Sequence, residues 1–189
     1  MKQAKVLSTA EMKRMLVVIG SSRHAERNRL AVMVSHLAGL RVGEIAGLII
    51  DDVLETDGSV TDRIHINPAI AKGGVGRTVF VNKRLQREIR RYLETLSALP
   101  GPSAPLFRTQ KNSAFSPNTL CQLFGELYRK AGIKGATSHS GRRGFITKLS
   151  HSGISPKVIM ELSGHRHLSS LQRYIEVDDR MKQAAVEVV

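Results

Sequence analysis

Residues 63–82 read Arg63-Ile64-His65-Ile66-Asn67-Pro68-Ala69-Ile70-Ala71-Lys72-Gly73-Gly74-Val75-Gly76-Arg77-Thr78-Val79-Phe80-Val81-Asn82. Apolar and polar residues alternate through 63–67 and again through 78–82, the period of a strand with one buried face. Between them, Lys72-Gly73-Gly74-Val75-Gly76 is turn chemistry, so the segment predicts an antiparallel hairpin with a glycine-rich tip. Asp51-Asp52-Val53-Leu54 is read as a third strand. Three strands make a small sheet, not a sandwich.

Outward from the hairpin, both flanks are helical. Ser8-Thr9-Ala10-Glu11 has capping-box spacing ahead of an apolar run to Ile19. Ser22 is read as the cap of a second helix through Leu30, Val34 and Leu37, closed by Gly39. A short helix with Val42, Ile45 and Leu48 on one side follows. After the hairpin, one helix runs from Lys83 to Leu96. Ser116-Pro117 is a cap with proline at the first helical position, opening a helix to about Ala131 before Gly132. Ser155-Pro156 repeats that signal, and short helices are expected at 139–151, 168–174 and 179–186. The fold class is α+β: a mostly helical domain with a small three-stranded antiparallel sheet.

The chain has 189 residues, 41% hydrophobic and 24% charged, which is ordinary globular usage and predicts a single domain over 1–189. It excludes a collagen, a low-complexity chain and a disulfide scaffold. Cys121 is the sole cysteine, so an internal disulfide and a cysteine-rich zinc site are excluded. No apolar run is long enough to span a membrane. The setting expected is a reducing cytoplasm. The 29 basic residues outnumber the 16 acidic ones, for a net charge of +13. That surplus points to a polyanionic partner; a ribosomal-type or membrane-surface binder fits the charge alone equally well.

Lys83, Arg84, Arg87, Arg90 and Arg91 fall within about a third of one helix circumference. This stripe suits the phosphate backbone of duplex DNA, and its plainer reading is a solvated face. The low aromatic content, 4% with no tryptophan, disfavours single-strand binding by base stacking. Other polar residues stand out by position: Arg41 after the helix stop at Gly39, Glu44 three residues on, Lys72 at the hairpin tip, and His139 with Arg142 one helical turn apart. Gly164-His165 follows, with Tyr174 nine residues beyond. A histidine on a helix is more often structural, and an arginine in a turn is more often a solvated charge, so none of these decides anything alone.

Taken in order, Leu40-Arg41-Val42-Gly43-Glu44, Lys72, His139-x-x-Arg142, Gly164-His165 and Tyr174 resemble the catalytic domain of the tyrosine recombinases, the phage integrase family. The resemblance covers about residues 5 to 180. It implies the fold of the DNA breaking-rejoining enzymes and gives each residue a role. Tyr174 would attack a DNA phosphodiester and form a 3′-phosphotyrosine. Arg41 and Arg142 would clamp the non-bridging oxygens, and Lys72 would protonate the leaving 5′ oxygen; were Lys72 merely a phosphate contact, Arg77 or another lysine would become the candidate acid. His139 would handle protons near the nucleophile, His165 would hydrogen-bond the phosphate, and Glu44 would orient its neighbours.

The chemistry suits these residue types. A guanidinium is a fork of donors matched to two phosphate oxygens. A tyrosine hydroxyl, with an ordinary pKa of about 10, must lose its proton during attack. The phosphotyrosine conserves the bond energy, so rejoining needs no ATP, and no cofactor or metal is expected. The implied partners are double-stranded DNA and three further copies of the chain in a tetramer on DNA. Competing readings are a type IB topoisomerase, which shares the Tyr and Arg chemistry, and a non-catalytic DNA-binding regulator on the same fold. Two departures from the family stand out. His139-Ser140-Gly141-Arg142-Arg143-Gly144 replaces the common His-Asp-Leu-Arg-His-Thr, and the family's N-terminal core-binding domain is missing from 1–189. Either the chain is shortened or it resembles the small recombinases made of this domain alone; an accessory DNA-binding protein would then supply the missing contacts.

Overall fold

Reciprocal capping opens the first helix, α1 (Thr9–Gly20): Ser8 Oγ accepts the Glu11 N–H, and the Glu11 carboxylate accepts the Ser8 N–H at 3.0 Å. The computed structural model describes residues 3–71, 73–172, 174 and 179–187. The second helix, α2 (Ala25–Ala38), begins later than its sequence predicts. Ser22 does not cap it, because its hydroxyl is still within reach of α1 and donates to the Ile19 carbonyl at 2.7 Å. Residue 24, a histidine with no side-chain cap bond, takes the N-cap position instead. Leu30, Ala31, Val32, Met33, Val34 and Ala38 are all buried, so α2 is apolar around most of its circumference. That is the mark of a central helix, and α1, α4 and α6 pack on it.

Gly39 ends α2 at φ +66°, and the short α3 (Val42–Ala46) follows. The hairpin forms as predicted from β1 (Arg63–Ile66) and β2 (Arg77–Phe80), antiparallel, with Arg63 opposite Phe80 and Ile66 opposite Arg77. Ile64, Ile66 and Val79 face the core. The expected third strand is absent among the described residues: Ile50–Asp52 is a 3₁₀ turn, and Leu54 makes one isolated bridge to Val60. Asp52 explains this, since its carboxylate accepts the Ile49 N–H at 2.8 Å and closes a turn where a strand would need an open backbone. The chain then reverses at once, with the Glu55 N–H on the Ser59 carbonyl at 2.8 Å.

Asn82 caps α4 (Lys83–Glu94), its side-chain oxygen accepting the Leu85 N–H at 2.9 Å. The helix lies antiparallel on α2. The Arg29 guanidinium grips Glu88 at 2.6 and 2.7 Å, and Arg91 pairs with Glu26 at the start of α2. Ser116 and Pro117 open α5 (Pro117–Lys130), as expected. The remaining helices are α6 (Ser140–His151), α7 (Pro156–Ser163), α8 (Leu168–Gln172) and α9 (Asp179–Val186). Among the described residues, no helix is long and apolar enough to cross a membrane.

The main core draws on α1–α5 and the hairpin. A smaller core joins Ile146, Ile159 and Leu171 from α6, α7 and α8, with Phe145 and Tyr174 packed beside it. Helix α6 meets α2 backbone to backbone at Gly141, where an added Cβ would stand 2.8 Å from Ser35 Cβ and 2.9 Å from His36 Cδ2. Gly141→Ala should therefore cost about 1–3 kcal/mol by overpacking and lower the melting temperature by several degrees. Gly125 in α5 has nothing within 4 Å of the same added atom, so Gly125→Ala should gain about 0.5–1 kcal/mol. Thermal melts of the two variants should move in opposite directions.

Candidate active site

Glu44 is 1% exposed and receives two guanidinium groups. Arg77, from the start of β2, binds both of its oxygens, at 2.5 and 2.9 Å. Arg41, at the N-cap of α3, donates its backbone N–H at 2.7 Å and one guanidinium N–H at 2.9 Å. The other arm of Arg41 reaches the Gly164 carbonyl at 3.1 Å. Burial pushes the Glu44 carboxyl upward, but the hydrogen bonds and charges of Arg77 and Arg41 outweigh it and hold the group below the usual carboxylate range.

Arg142 is 6% exposed and uses carbonyls rather than a carboxylate. It donates to Gly39 at the end of α2 at 2.8 Å and to Ser163 at the end of α7 at 2.6 Å. Burial, then the nearby charge of Arg41, push its guanidinium down to about 9, so it stays charged at neutral pH.

His165 sits 2.7 Å from Ser163 Oγ through Nδ1 and 3.4 Å from the Arg142 guanidinium through Nε2. Its tautomer follows from these partners. The Ser163 hydroxyl donates to the Ile159 carbonyl at 2.6 Å, so Nδ1 carries the proton toward Ser163. Arginine only donates, so Nε2 is the acceptor. Burial and the charges of Arg142, Arg41 and Arg77 push the imidazole down to about 4, and it is neutral. The rings of His165 and Tyr174 are 5.8 Å apart.

Arg41, His139, Arg142, His165 and Tyr174 line one open hollow of about 450 Å³. Five of the six residues expected to do chemistry are thus brought together from α3, α6, the turn after α7 and the turn after α8. Lys72 lies outside the described residues; its neighbour Gly73 lines the hollow. A second hollow, about 540 Å³, is lined by Arg23, His24, Arg27, Tyr92 and Arg108, and contains none of the candidate residues.

The stripe on α4 is not part of the hollow. Lys83, Arg84, Arg87, Arg90 and Arg91 are exposed, roughly opposite the buried Leu85, Ile89 and Tyr92. Arg91 is spent on Glu26.

Two arginines of the site have no role assigned from the sequence, and a third, Arg77, has a different one from that expected. Arg143 and Arg166 line the hollow beside the expected residues. Arg77, the alternative acid, commits both its arms to Glu44. Strand parity held the signal: Arg77 pairs with Ile66 and shares a face with Val79, the core face. A charge on that face requires a buried partner.

A family model described as the phage integrase family matches residues 5–181. The chain belongs to this family. Among its relatives, the tyrosine recombinase XerA of Pyrococcus furiosus is 35% identical over 186 residues, 97% of this chain and 61% of that protein. The XerA of Thermococcus kodakarensis is 36% identical over 173 residues, 92% of this chain and 58% of that protein. The chain therefore spans about 60% of the length of these phage integrase relatives. Solved structures share the fold. The crystal structure of XerA recombinase superposes with a TM-score of 0.76 at 24% identity, over 98% of this chain and 63% of that one. The Tn1549 transposon integrase in complex with circular intermediate DNA gives 0.79 at 20% identity, over 99% and 67%.

The electrostatics predict acid sensitivity. His36, between α2 and α6, is pushed by burial down to about 4 from an ordinary 6.5, as is His165. As pH falls through this window, the unfolded chain takes up protons before the folded one, so stability declines from about 6.5 to 4. Glu44 adds to the loss below its ordinary 4.5, because protonation releases Arg77 and Arg41. The melting temperature should drop steadily between pH 6.5 and 4, and less steeply in His36→Leu. A flat profile in the parent would contradict this assignment.

Proposed function

We propose that the chain is the catalytic part of a site-specific DNA recombinase that cleaves and rejoins duplex strands through a 3′-phosphotyrosine. The observation that carries this reading is the convergence of Tyr174, His165, Arg142 and Arg41 on one hollow, with the guanidiniums anchored by Glu44 and by carbonyls. Anchored donors cost no reorganisation when charge develops on a phosphate, so they suit a transition state better than mobile ones. The relatives named tyrosine recombinases support it.

In this mechanism Arg41 and Arg142 bind the non-bridging oxygens of the scissile phosphate. Tyr174 Oη bonds to phosphorus as the bond to the 5′ oxygen breaks. The tyrosine proton leaves by way of His139, and Lys72 supplies a proton to the 5′ oxygen. A 5′-hydroxyl then attacks the phosphotyrosine, restores the diester and frees the tyrosine, so no ATP or other cofactor is consumed. His165 presents a lone pair before DNA binds, and it donates to the phosphate only after taking up a proton, which the phosphate charge favours. Glu44 acts through Arg41 and Arg77. The partners are double-stranded DNA, copies of the chain in a tetramer on DNA, and an accessory DNA-binding protein; the setting is the cytoplasm. The residues Lys83, Arg84, Arg87 and Arg90 add backbone contacts.

The test is covalent capture. On a nicked duplex carrying the target site, the parent should give an SDS-resistant protein–DNA adduct, and Tyr174→Phe should bind DNA but give none. Adduct from the Phe variant would remove Tyr174 from its role. Arg142→Lys should slow cleavage by about two orders of magnitude or more, because a point charge does not replace the fork.

Binding should weaken linearly in log salt, and Arg87→Ala with Arg90→Ala should make that slope shallower. An unchanged slope would return the α4 stripe to a solvated face.

A further inference from the structure

The sequence Gly164-His165-Arg166 faces the hairpin along its length, and it does so through two contacts. Where the loop leaves the strands, Gly164 sits against Arg77: an added Cβ at 164 would lie 2.7 Å from Arg77 Cδ. At the tip, the Arg166 guanidinium donates a hydrogen bond to the Gly73 carbonyl, across 93 positions of sequence. Gly73 has φ +88°, and an added Cβ there would lie 3.0 Å from Arg166 Nη2 and 3.2 Å from its Cζ. The tip therefore needs glycine twice, for its backbone angle and for the flat approach of the guanidinium. Arg166 lines the candidate hollow together with Gly73, His165 and Tyr174.

We infer that Arg166 is a positioning residue, a latch that ties the hairpin tip to the turn carrying His165 and so fixes where the neighbouring Lys72 can deliver its proton. The inference rests on the recombinase reading above. Its physical basis is the hairpin's own chemistry. Two consecutive glycines with positive φ, Gly73 and Gly74, give the tip many backbone conformations, and a lysine adds four side-chain torsions. An acid with that freedom spends little time at the leaving oxygen unless the backbone beside it is held. The foot of the hairpin loop is already held by Arg77 on Glu44. The Arg166 bond holds Gly73 at the tip, and it does so from the residue next to His165, so the tip backbone and the His165 turn share one frame. Arg166 acts through Gly73, not on the phosphate.

A positioning role of this kind has a signature that loss of fold or loss of phosphate binding lacks. A thiolate leaves without a proton, whereas an alkoxide needs one. Single-turnover adduct formation is measured on duplex DNA with ordinary oxygen or bridging 5′ sulfur at the scissile bond, for the parent, Arg166→Ala, Gly73→Ala, Lys72→Ala and the double variant Lys72→Ala with Arg166→Ala. Arg166→Ala should be slower than the parent by about tenfold or more on oxygen and within about threefold of it on sulfur. Gly73→Ala, which displaces the guanidinium while keeping the arginine, should show the same pattern. The double variant should be no slower on oxygen than Lys72→Ala alone, since a latch for an absent acid has nothing to hold.

An equal defect of Arg166→Ala on both substrates, an undiminished rate on oxygen, or multiplying defects in the double variant would overturn the latch while leaving the recombinase reading in place. A parent that forms no adduct on either substrate would overturn that reading, and the latch with it. A Lys72→Ala variant slowed equally on oxygen and sulfur would remove Lys72 as the acid and so remove what the latch serves.

Discussion

One buried carboxylate organises the site. Glu44 caps α3 through the Arg41 N–H, orients the Arg41 guanidinium and locks the hairpin through Arg77. Two elements that are distant in sequence, α3 and the hairpin, thus meet on two oxygen atoms. Such a group is stable only while its partners remain: breaking a buried ion pair by removing one side commonly costs about 3–5 kcal/mol. Position 44 is therefore not free to vary with the helix around it. The arrangement also leaves charge to spare. Arg41 and Arg77 share one carboxylate, and Arg142 has only carbonyls. Among the described residues, three arginines of the cluster face one carboxylate, so it keeps a surplus of positive charge. In the recombinase reading proposed above, the scissile phosphate would supply negative charge there.

Arg142 depends on a different constraint, the close approach of α6 to α2. Its guanidinium reaches the Gly39 carbonyl because Gly141 lets the α6 backbone lie against Ser35 and His36. Gly39 in turn rests on the Phe145 ring, where an added Cβ would stand 2.5 Å from Cδ1. Phe145 belongs to the smaller core with Ile146, Ile159 and Leu171. The packing that joins the two cores is the same packing that aims Arg142. Gly141 thus sets the distance between α6 and α2 at which the Arg142–Gly39 bond forms.

What the sequence made legible follows from how local each signal is. The hairpin, the Ser8 and Ser116 caps and the stop at Gly39 are set by residues within a few positions of one another, and each appears where it was read. The third strand failed because Asp52 bonds its own backbone, a competition that alternation of apolar residues does not register. Ser22 failed for a similar reason, its hydroxyl having two helices within reach. In the site, Arg41, His139, Arg142, His165 and Tyr174 were found by their order along the chain, which says nothing of what holds them. The supports Arg77, Ser163 and Gly39 act across 33, 21 and 103 positions, respectively to Glu44 and Arg142. No local pattern encodes such a pair. Arg77 alone left a trace, as a charge on the apolar face of a strand.

The hydrogen bonding of His165 adds a final consequence of the uncancelled charge. Without an anion, three guanidiniums press on an imidazole that is already half-buried, and the ring is neutral with its lone pair toward Arg142. On the recombinase reading, a phosphodiester in the hollow would offset part of that charge and offer an acceptor where the lone pair now points. Phosphate binding and proton uptake by His165 would therefore favour each other, and by linkage each would raise the affinity for the other equally. The histidine is held as an acceptor by the surrounding guanidinium charges, and on that reading it would become a donor only with the phosphate in place. A contact that exists only in the loaded site can be strongest where charge builds on phosphorus, and that differential is the part of binding that accelerates a reaction.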